Sequence, residues 1–287
     1  MPDLATIEPV DYLIIGHITQ DVTPAGLSLG GTASYAALTA RAFGLRVGIV
    51  TSCSPDLQPP ELNGIAIARK PSPFTSTFRN TYTPTGRIQH ILHVADLLSL
   101  EDVPPAWRSA PIVHLGPLAN EIPTNLVRAF PRSLVGVTPQ GWMRAWDGDH
   151  IVSYRYWVES DQVLPHVQSC VMSVEDVRGD EEAISHFAAL APILVVTEGA
   201  AGSRVYWNGD VRFFRPPLTQ EVDPVGAGDV FAASFFIKLL QTRDPWEAAR
   251  FATLVGANSV TRVGILGVPT PSELRAYSTQ IIAHPKQ

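Results

Sequence analysis

The residues best suited to chemistry lie in the segment 222–238, V-D-P-V-G-A-G-D-V-F-A-A-S-F-F-I-K. Gly226 and Gly228 flank Ala227 and are followed by Asp229, after which the chain becomes a continuous apolar run. That order fits a tight loop opening a buried helix. Such a loop turns successive backbone N–H groups the same way, and the helix dipole adds roughly half a positive charge at the same spot, so the place favours an anion. A carboxylate there, Asp229, is set to accept a proton from a hydroxyl that attacks a bound phosphoryl group. Taken alone, G-x-G-D fits equally a glycine turn whose Asp caps a helix.

The elements that must position this loop can be read around it. Residues 10–16, V-D-Y-L-I-I-G, form a short apolar run ending in glycine, as a central parallel strand buried on both faces requires. Ligands in open α/β sheets collect beyond the carboxyl ends of strands, and the loop H-I-T-Q-D delivers Asp21 to that edge, unless it is only a surface turn. The pair Gly30-Gly31 then opens an alanine-rich helix stopped by Gly44, and residues 46–51 return as a second strand, giving a strand, helix, strand unit. Residues 64–94 change character. Their short alternating segments, broken by Pro71, Pro73 and a T-P-T-G turn at 83–86, predict a small β-lid, with Phe78, Asn80 and Gln89 as candidate ligand contacts.

Beyond Pro104-Pro105 the rhythm resumes, with strands expected at residues 112–115, 134–137, 169–173 and 193–197 and helical patterns at 120–129, 181–190, 245–263 and 272–282. The loop T-E-G-A-A-G at 197–202 has room for part of a nucleotide, or is a plain hairpin turn. The expected class is α/β with one core, residues 1–63 and 95–287, and residues 64–94 as the lid.

The rest of the composition narrows the partners. The chain has 287 residues, 45% hydrophobic and 17% charged, enough for one large domain. A net charge of −6 without long like-charge runs argues against nucleic acid or an acidic membrane, and no stretch approaches about 18 uninterrupted apolar residues. A small ligand is the expected partner and the cytoplasm the expected compartment. Cys53 and Cys170 are too few for a disulfide framework, and the eight histidines form no ligand motif. The chain contains no G-x-x-x-x-G-K-[ST], its only lysines being Lys70, Lys238 and Lys286, and no G-x-G-x-x-G after the first strand, so phosphate binding must rest on backbone amides.

Taken together, Gly16 to Asp21, Gly30-Gly31, V-T-E-G-A-A-G (196–202), D-P-V-G-A-G-D (223–229) and A-N-S-V-T-R-V-G (257–264) resemble the ribokinase-like, or PfkB, carbohydrate kinase family, over nearly the whole chain. The resemblance implies a three-layer fold, a central, mostly parallel sheet flanked by helices with a β-lid. It also implies transfer of the ATP γ-phosphoryl, with Mg²⁺, to a hydroxyl of a polyol, sugar or nucleoside. Asp229 would be the base and Gly226, Ala227 and Gly228 the anion hole. Asp21, Gly30 and Gly31 would touch the acceptor. Thr197, Gly199 and Gly202 would line the nucleotide site, with Asn258 near the base, and Asp223 belongs to a segment that holds a monovalent cation, K⁺, in several members.

The departures are specific. Tyr35 stands where sugar kinases of this family carry Asn in G-G-x-x-x-N, so an aromatic wall is expected in the acceptor site. Ser173-Val174-Glu175-Asp176 replaces N-x-x-E, leaving Asp176 as the candidate for the hydrated magnesium. Eight residues between Asp21 and Gly30 predict that the first lid hairpin is missing, hence a monomer or a dimer not built on a lid-to-lid clasp. With Gln140, Arg144 and Asp147 in T-P-Q-G-W-M-R-A-W-D as further acceptor contacts, the pattern is similar to the inositol-kinase branch. A nucleoside kinase, another sugar kinase and a non-catalytic member acting as a binding module are the alternatives.

Overall fold

A computed structural model describes residues 8–83 and 86–279. The chain begins with strand β1 (Tyr12–Ile15), followed by a hairpin of β2 (Thr19–Thr23) and β3 (Gly26–Gly30), helix α1 (Thr32–Ala42), β4 (Val47–Cys53) and β5 (Ala66–Pro71). A second hairpin, β6 (Thr77–Thr83) and β7 (Gly86–His93), precedes β8 (Ile112–Leu115) and β9 (Leu134–Val137). A short ribbon of β10 (Arg144–Trp146) and β11 (Val152–Tyr154) leads to α2 (Ser160–Val163), β12 (Ser169–Ser173), α3 (Glu181–Leu190) and β13 (Ile193–Thr197). Then come β14 (Ser203–Trp207), β15 (Asp210–Phe214), α4 (Ala227–Thr242), α5 (Pro245–Ser259) and α6 (Pro271–Tyr277).

Nine strands form the main sheet in the order β15-β14-β13-β12-β9-β8-β1-β4-β5, with β5 through β13 parallel and β14 and β15 antiparallel. β1 shows why its sequence is apolar throughout. Leu13 and Ile15 enter one core, with Trp107, Trp142, Trp157 and Phe187, while Tyr12 and Ile14 enter the other, against α1, α4 and α5. A strand with period-two side chains and two buried faces has no polar positions to spend. Four alanines of α1, Ala33, Ala36, Ala37 and Ala40, are fully buried and let that helix lie close to the sheet and to α4. The β1 strand pairs with β4 on one side and β8 on the other, so the sheet reverses its winding there, and ligand sites form at the carboxyl end of such a switch.

The lid is a separate four-stranded sheet, β3-β2-β6-β7. Two expectations are corrected here. Residues 66–71 lie in the main sheet as its edge strand, paired parallel with β4, because alternating hydrophobicity defines a strand but not the sheet it joins. The first lid hairpin is present: β2 and β3 pair antiparallel from Thr19↔Gly30 to Thr23↔Gly26, and the two intervening residues, Pro24 and Ala25, suffice because two-residue turns close hairpins. With this hairpin in place, the lid is not shortened at the surface expected to be missing from a lid-to-lid dimer. The expected 83–86 turn has Pro84 and Thr85 outside the described residues, as are residues 280–282 of the last expected helix; α6 ends at Tyr277. Residues 120–129 are a 3-10 segment, Thr124–Ala129, after Pro123. Among the described residues no helix is long and apolar enough to cross a membrane.

Candidate active site

The loop 223–229 opens α4 as expected. Gly226 caps the helix in the left-handed region, φ 78°, and Val230 makes the first i to i−4 bond, to the Gly226 carbonyl. The N–H groups of Gly228 and Asp229 precede that bond, so they face the cleft as donors without helical acceptors. The N–H of Ala227 donates to the Pro224 carbonyl at 3.2 Å, which takes it out of the expected anion hole. Gly228 has helical backbone, and a side chain built on it would meet open space, the space a phosphate needs.

Asp229 is half-buried in the first turn of α4 and accepts a hydrogen bond at Oδ1 from the Thr32 hydroxyl, 2.7 Å away at the start of α1. Two helix N-termini thus meet at one carboxylate. Burial pushes its pKa up from 3.8 to about 6, against the lowering effects of the Thr32 hydroxyl and of Arg144; the nearby charges of Asp176 and Asp21 add to the rise. A base with that pKa is ionised at neutral pH yet basic enough to take a proton.

Tyr35 is not the acceptor wall. Its ring is 2% exposed and packs under the anion loop, so close that a Cβ on Gly226 would lie 2.2 Å from Cε1. α1 turns that position toward Val230, Phe251 and Val255 rather than toward the lid. The phenol stays neutral, its pKa raised by burial and by the charges of Asp229, Asp21 and Asp223.

The residues expected to touch the acceptor lie where the lid meets the main sheet. Asp21 on β2 stands beside Phe78 on β6, and its carboxylate lies over Gly30, where a Cβ would meet Oδ2 at 2.2 Å. Gly30 therefore has no side chain because Asp21 occupies that space. Arg144 stacks over the Phe78 ring, 5.5 Å from its centroid, and donates to the Leu118 carbonyl at 3.1 Å. Its charge also acts on Asp229 and Asp176, so it reaches the same cleft. Asn80 and Gln89 share the lid face with Phe78 and bond to each other at 3.0 Å. Gln140 turns its amide to Asp176, 2.9 Å. Asp147 accepts from the N–H groups of Asp149 and Ile151 and so shapes the exposed turn between β10 and β11 instead of entering the cleft.

Of the residues expected at the nucleotide, Thr197 ends β13 and the segment 198–202 is a tight hairpin loop into β14, closed by Glu198 N–H to Gly202 C=O at 2.8 Å. Gly199 faces open space, whereas Gly202 presses on the Phe214 carbonyl and is there for packing. Asn258, at the end of α5, donates to Glu273 at 3.1 Å, in a cluster with Arg262. Asp223 accepts from Val225 N–H at 3.0 Å and Gly264 N–H at 2.8 Å, tying the anion loop to the loop after α5. Asp176 accepts from Ser173 N–H and from Gln140, and burial raises its pKa. Among the described residues no three His, Cys, Asp or Glu side chains are grouped to hold a metal ion.

Three polar residues here went unnoticed in the sequence. Thr32 was hidden as one small residue among many in the start of α1. Glu121 is fully buried, and its carboxylate accepts from the backbone N–H groups of His17, Leu118 and Ala119 at 2.7–3.1 Å, joining the loop before β2 to the loop that receives Arg144. His114 is buried between the Tyr12 and Thr138 hydroxyls, 2.8 and 3.0 Å, and burial lowers its pKa to about 3, so it is a neutral bridge across β1, β8 and β9.

Residues 171–271 match the model of the pfkB family carbohydrate kinases. An inositol 3-kinase of Oryza sativa subsp. japonica is 26% identical over 291 residues, spanning 91% of this chain and 71% of its own. A cytidine kinase of Thermococcus kodakarensis is 26% identical over 263 residues, 84% of this chain and 92% of its own. Among solved structures, a pyrophosphate-dependent kinase in the ribokinase family, complexed with a pyrophosphate analog and myo-inositol, superposes with a TM-score of 0.77 at 22% identity, covering 92% of this chain and 99% of its own.

Proposed function

From the premise that this chain is a ribokinase-like kinase of the PfkB family, an ATP-dependent phosphotransferase with an alcohol acceptor, we propose that it phosphorylates a small cyclic polyol, with myo-inositol as the favoured acceptor. The observation that carries the reading is Asp229 at the mouth of α4, beside free helix N–H groups and opposite the Asp21 and Arg144 side of the lid.

The proposed chemistry follows from those positions. The N–H groups of Gly228 and Asp229 hold the oxygens of the transferring phosphoryl group, and Asp229 takes the proton of the attacking hydroxyl. Asp21 accepts hydrogen bonds from neighbouring hydroxyls and fixes which one faces the base. Arg144, stacked on Phe78, supplies positive charge where the chain offers almost no lysine. Bound magnesium would neutralise the charge of the donor phosphates. The residues fit an ion carried mainly by phosphates and water: both Asp176 oxygens already accept hydrogen bonds, so Asp176 would meet the hydration shell. Thr197 and Gly199 would border the donor beyond its phosphates, with Asn258 held back by Glu273. Asp223 already ties its two loops together, and a K⁺ requirement there is part of the proposal.

Support for the acceptor comes from the inositol 3-kinase likeness and from the fold shared with a kinase holding myo-inositol; the cytidine kinase likeness supports a nucleoside as the second reading. The test is kcat/KM for myo-inositol, ribose, fructose and cytidine under one set of conditions, each with ATP and with pyrophosphate, with and without potassium. The expected result is myo-inositol with ATP as the best pair. A tenfold advantage for any of the other acceptors, about 1.4 kcal/mol in the transition state, overturns the inositol reading, and no turnover with any pair leaves a binding module.

A further inference from the structure

The Thr32 hydroxyl and the Asp229 carboxylate are 197 residues apart in sequence and 2.7 Å apart in space. Thr32 is 3% exposed, so this is not a surface hydroxyl that water could replace. Its rotamer is fixed by packing on the opposite side. Gly116, just beyond β8, leaves a slot that the Thr32 methyl fills: a Cβ on Gly116 would lie 2.7 Å from Cγ2. With the methyl seated there, a branched side chain has its hydroxyl direction set as well, toward Asp229.

We propose that Thr32 is the positioning residue for the base: its O–H holds Oδ1 of Asp229 and leaves Oδ2 as the atom that takes the acceptor proton. The inference rests on the reading of Asp229 as the base. In the step it serves, the proton passes to Oδ2, the acceptor oxygen bonds to the γ-phosphorus, and the bond from that phosphorus to the β-phosphate oxygen breaks, its electrons leaving on ADP. A hydroxyl that donates to a carboxylate favours the charged form, so Thr32 opposes the burial that makes Asp229 harder to ionise. The other groups facing Asp229 are Arg144, which helps, Asp176 and Asp21, which hinder, and the phenols of Tyr12 and Tyr35, which stay neutral.

The experiment compares Thr32→Val, which keeps the methyl slot and loses the donor, Thr32→Ser, which keeps the donor, and Thr32→Ala. The carboxyl of Asp229 is titrated by carbon-13 NMR without substrate, its signal assigned by its loss in Asp229→Asn, and the pH profile of kcat is measured alongside acceptor KM. In Thr32→Val and Thr32→Ala the Asp229 midpoint is expected to rise by about one to two pH units. Their kcat at high pH should fall about 10- to 100-fold with acceptor KM unchanged. Thr32→Ser keeps the donor without the seated methyl, so its midpoint should rise less than in Thr32→Val and Thr32→Ala. A folded Val or Ala variant with wild-type midpoint and kcat overturns the proposal, and if both fail to fold, a Thr32→Ser variant whose midpoint rises while its kcat at high pH stays at wild type does so. Because the NMR titration needs no turnover, an inactive wild type would sink the kinase reading while the midpoint still reports on Thr32.

Discussion

Replacing Asp229 by Asn should make the protein more stable and nearly inactive, and the size of the gain follows from the site. The Asp229 carboxyl has its pKa raised from 3.8 to about 6, so the folded state holds this proton more tightly than the unfolded chain. The sign then follows from linkage. Below about pH 4 the group is protonated in both states and contributes no penalty. As pH rises from about 4 to 6 the unfolded chain ionises first, and above pH 6 the folded protein carries a buried charge at a cost of about 3 kcal/mol. Asn has no charge to bury, and its amide oxygen can still accept from Thr32, so the hydrogen bond survives. Equilibrium unfolding in urea should therefore find Asp229→Asn more stable than wild type by up to about 3 kcal/mol at pH 8, with the gain vanishing near pH 4. The same variant should lose about 10² to 10⁴ in kcat, since the proton acceptor is gone. An equal stability difference at both pH values, or no gain at pH 8, refutes the burial argument; a kcat near wild type refutes the role of the base.

Three further outcomes are expected. The acid limb of kcat/KM should have its midpoint near pH 6, falling about tenfold per pH unit below it, and a limb centred near pH 4 would mean that another group titrates. Gly226→Ala must adopt φ 78° and push a methyl into the Tyr35 ring, so urea unfolding should find it less stable by about 2–4 kcal/mol; a loss below about 0.5 kcal/mol contradicts the contact. Gly228→Val should melt close to wild type, because its backbone is helical and its side chain meets no protein atom, while donor KM rises or kcat falls as the methyls enter the phosphate space; unchanged kinetics would show that no phosphate approaches there.

The strands β8, β9, β12 and β13 were legible to the residue because each is a short apolar run buried on both faces, and such runs leave one interpretation. The anion loop was legible because all its parts are neighbours in sequence. What failed was whatever depends on a partner elsewhere. The offset of Tyr35 after Gly30-Gly31 points to the acceptor site, but the direction of its ring is set by the rotation of α1 against α4, which a single helix sequence does not carry. The β2 and β3 hairpin was missed by counting residues against a longer lid, although twelve residues with a two-residue turn are enough. Glu121 and Thr32 each bond to residues about a hundred or more positions away, and nothing local marks them.

The distance between Thr32 and Asp229 along the chain is also an interval in time. At roughly 5–20 residues per second, on the order of 10 to 40 s pass on the ribosome between the synthesis of one and the synthesis of the other. Asp21 and the first lid hairpin are made before that interval and the second lid hairpin and Arg144 within it, while the loop that would hold a phosphoryl group comes only at its end. The nascent chain thus carries the residues proposed to hold the acceptor before it carries the proposed base. β1, the first strand synthesised, sits inside the sheet between β4 and β8 and waits for neighbours on both sides, so burial of its two faces belongs to the later stages of folding. Activity should therefore appear in a single late event, when α4 docks and brings Asp229 to Thr32.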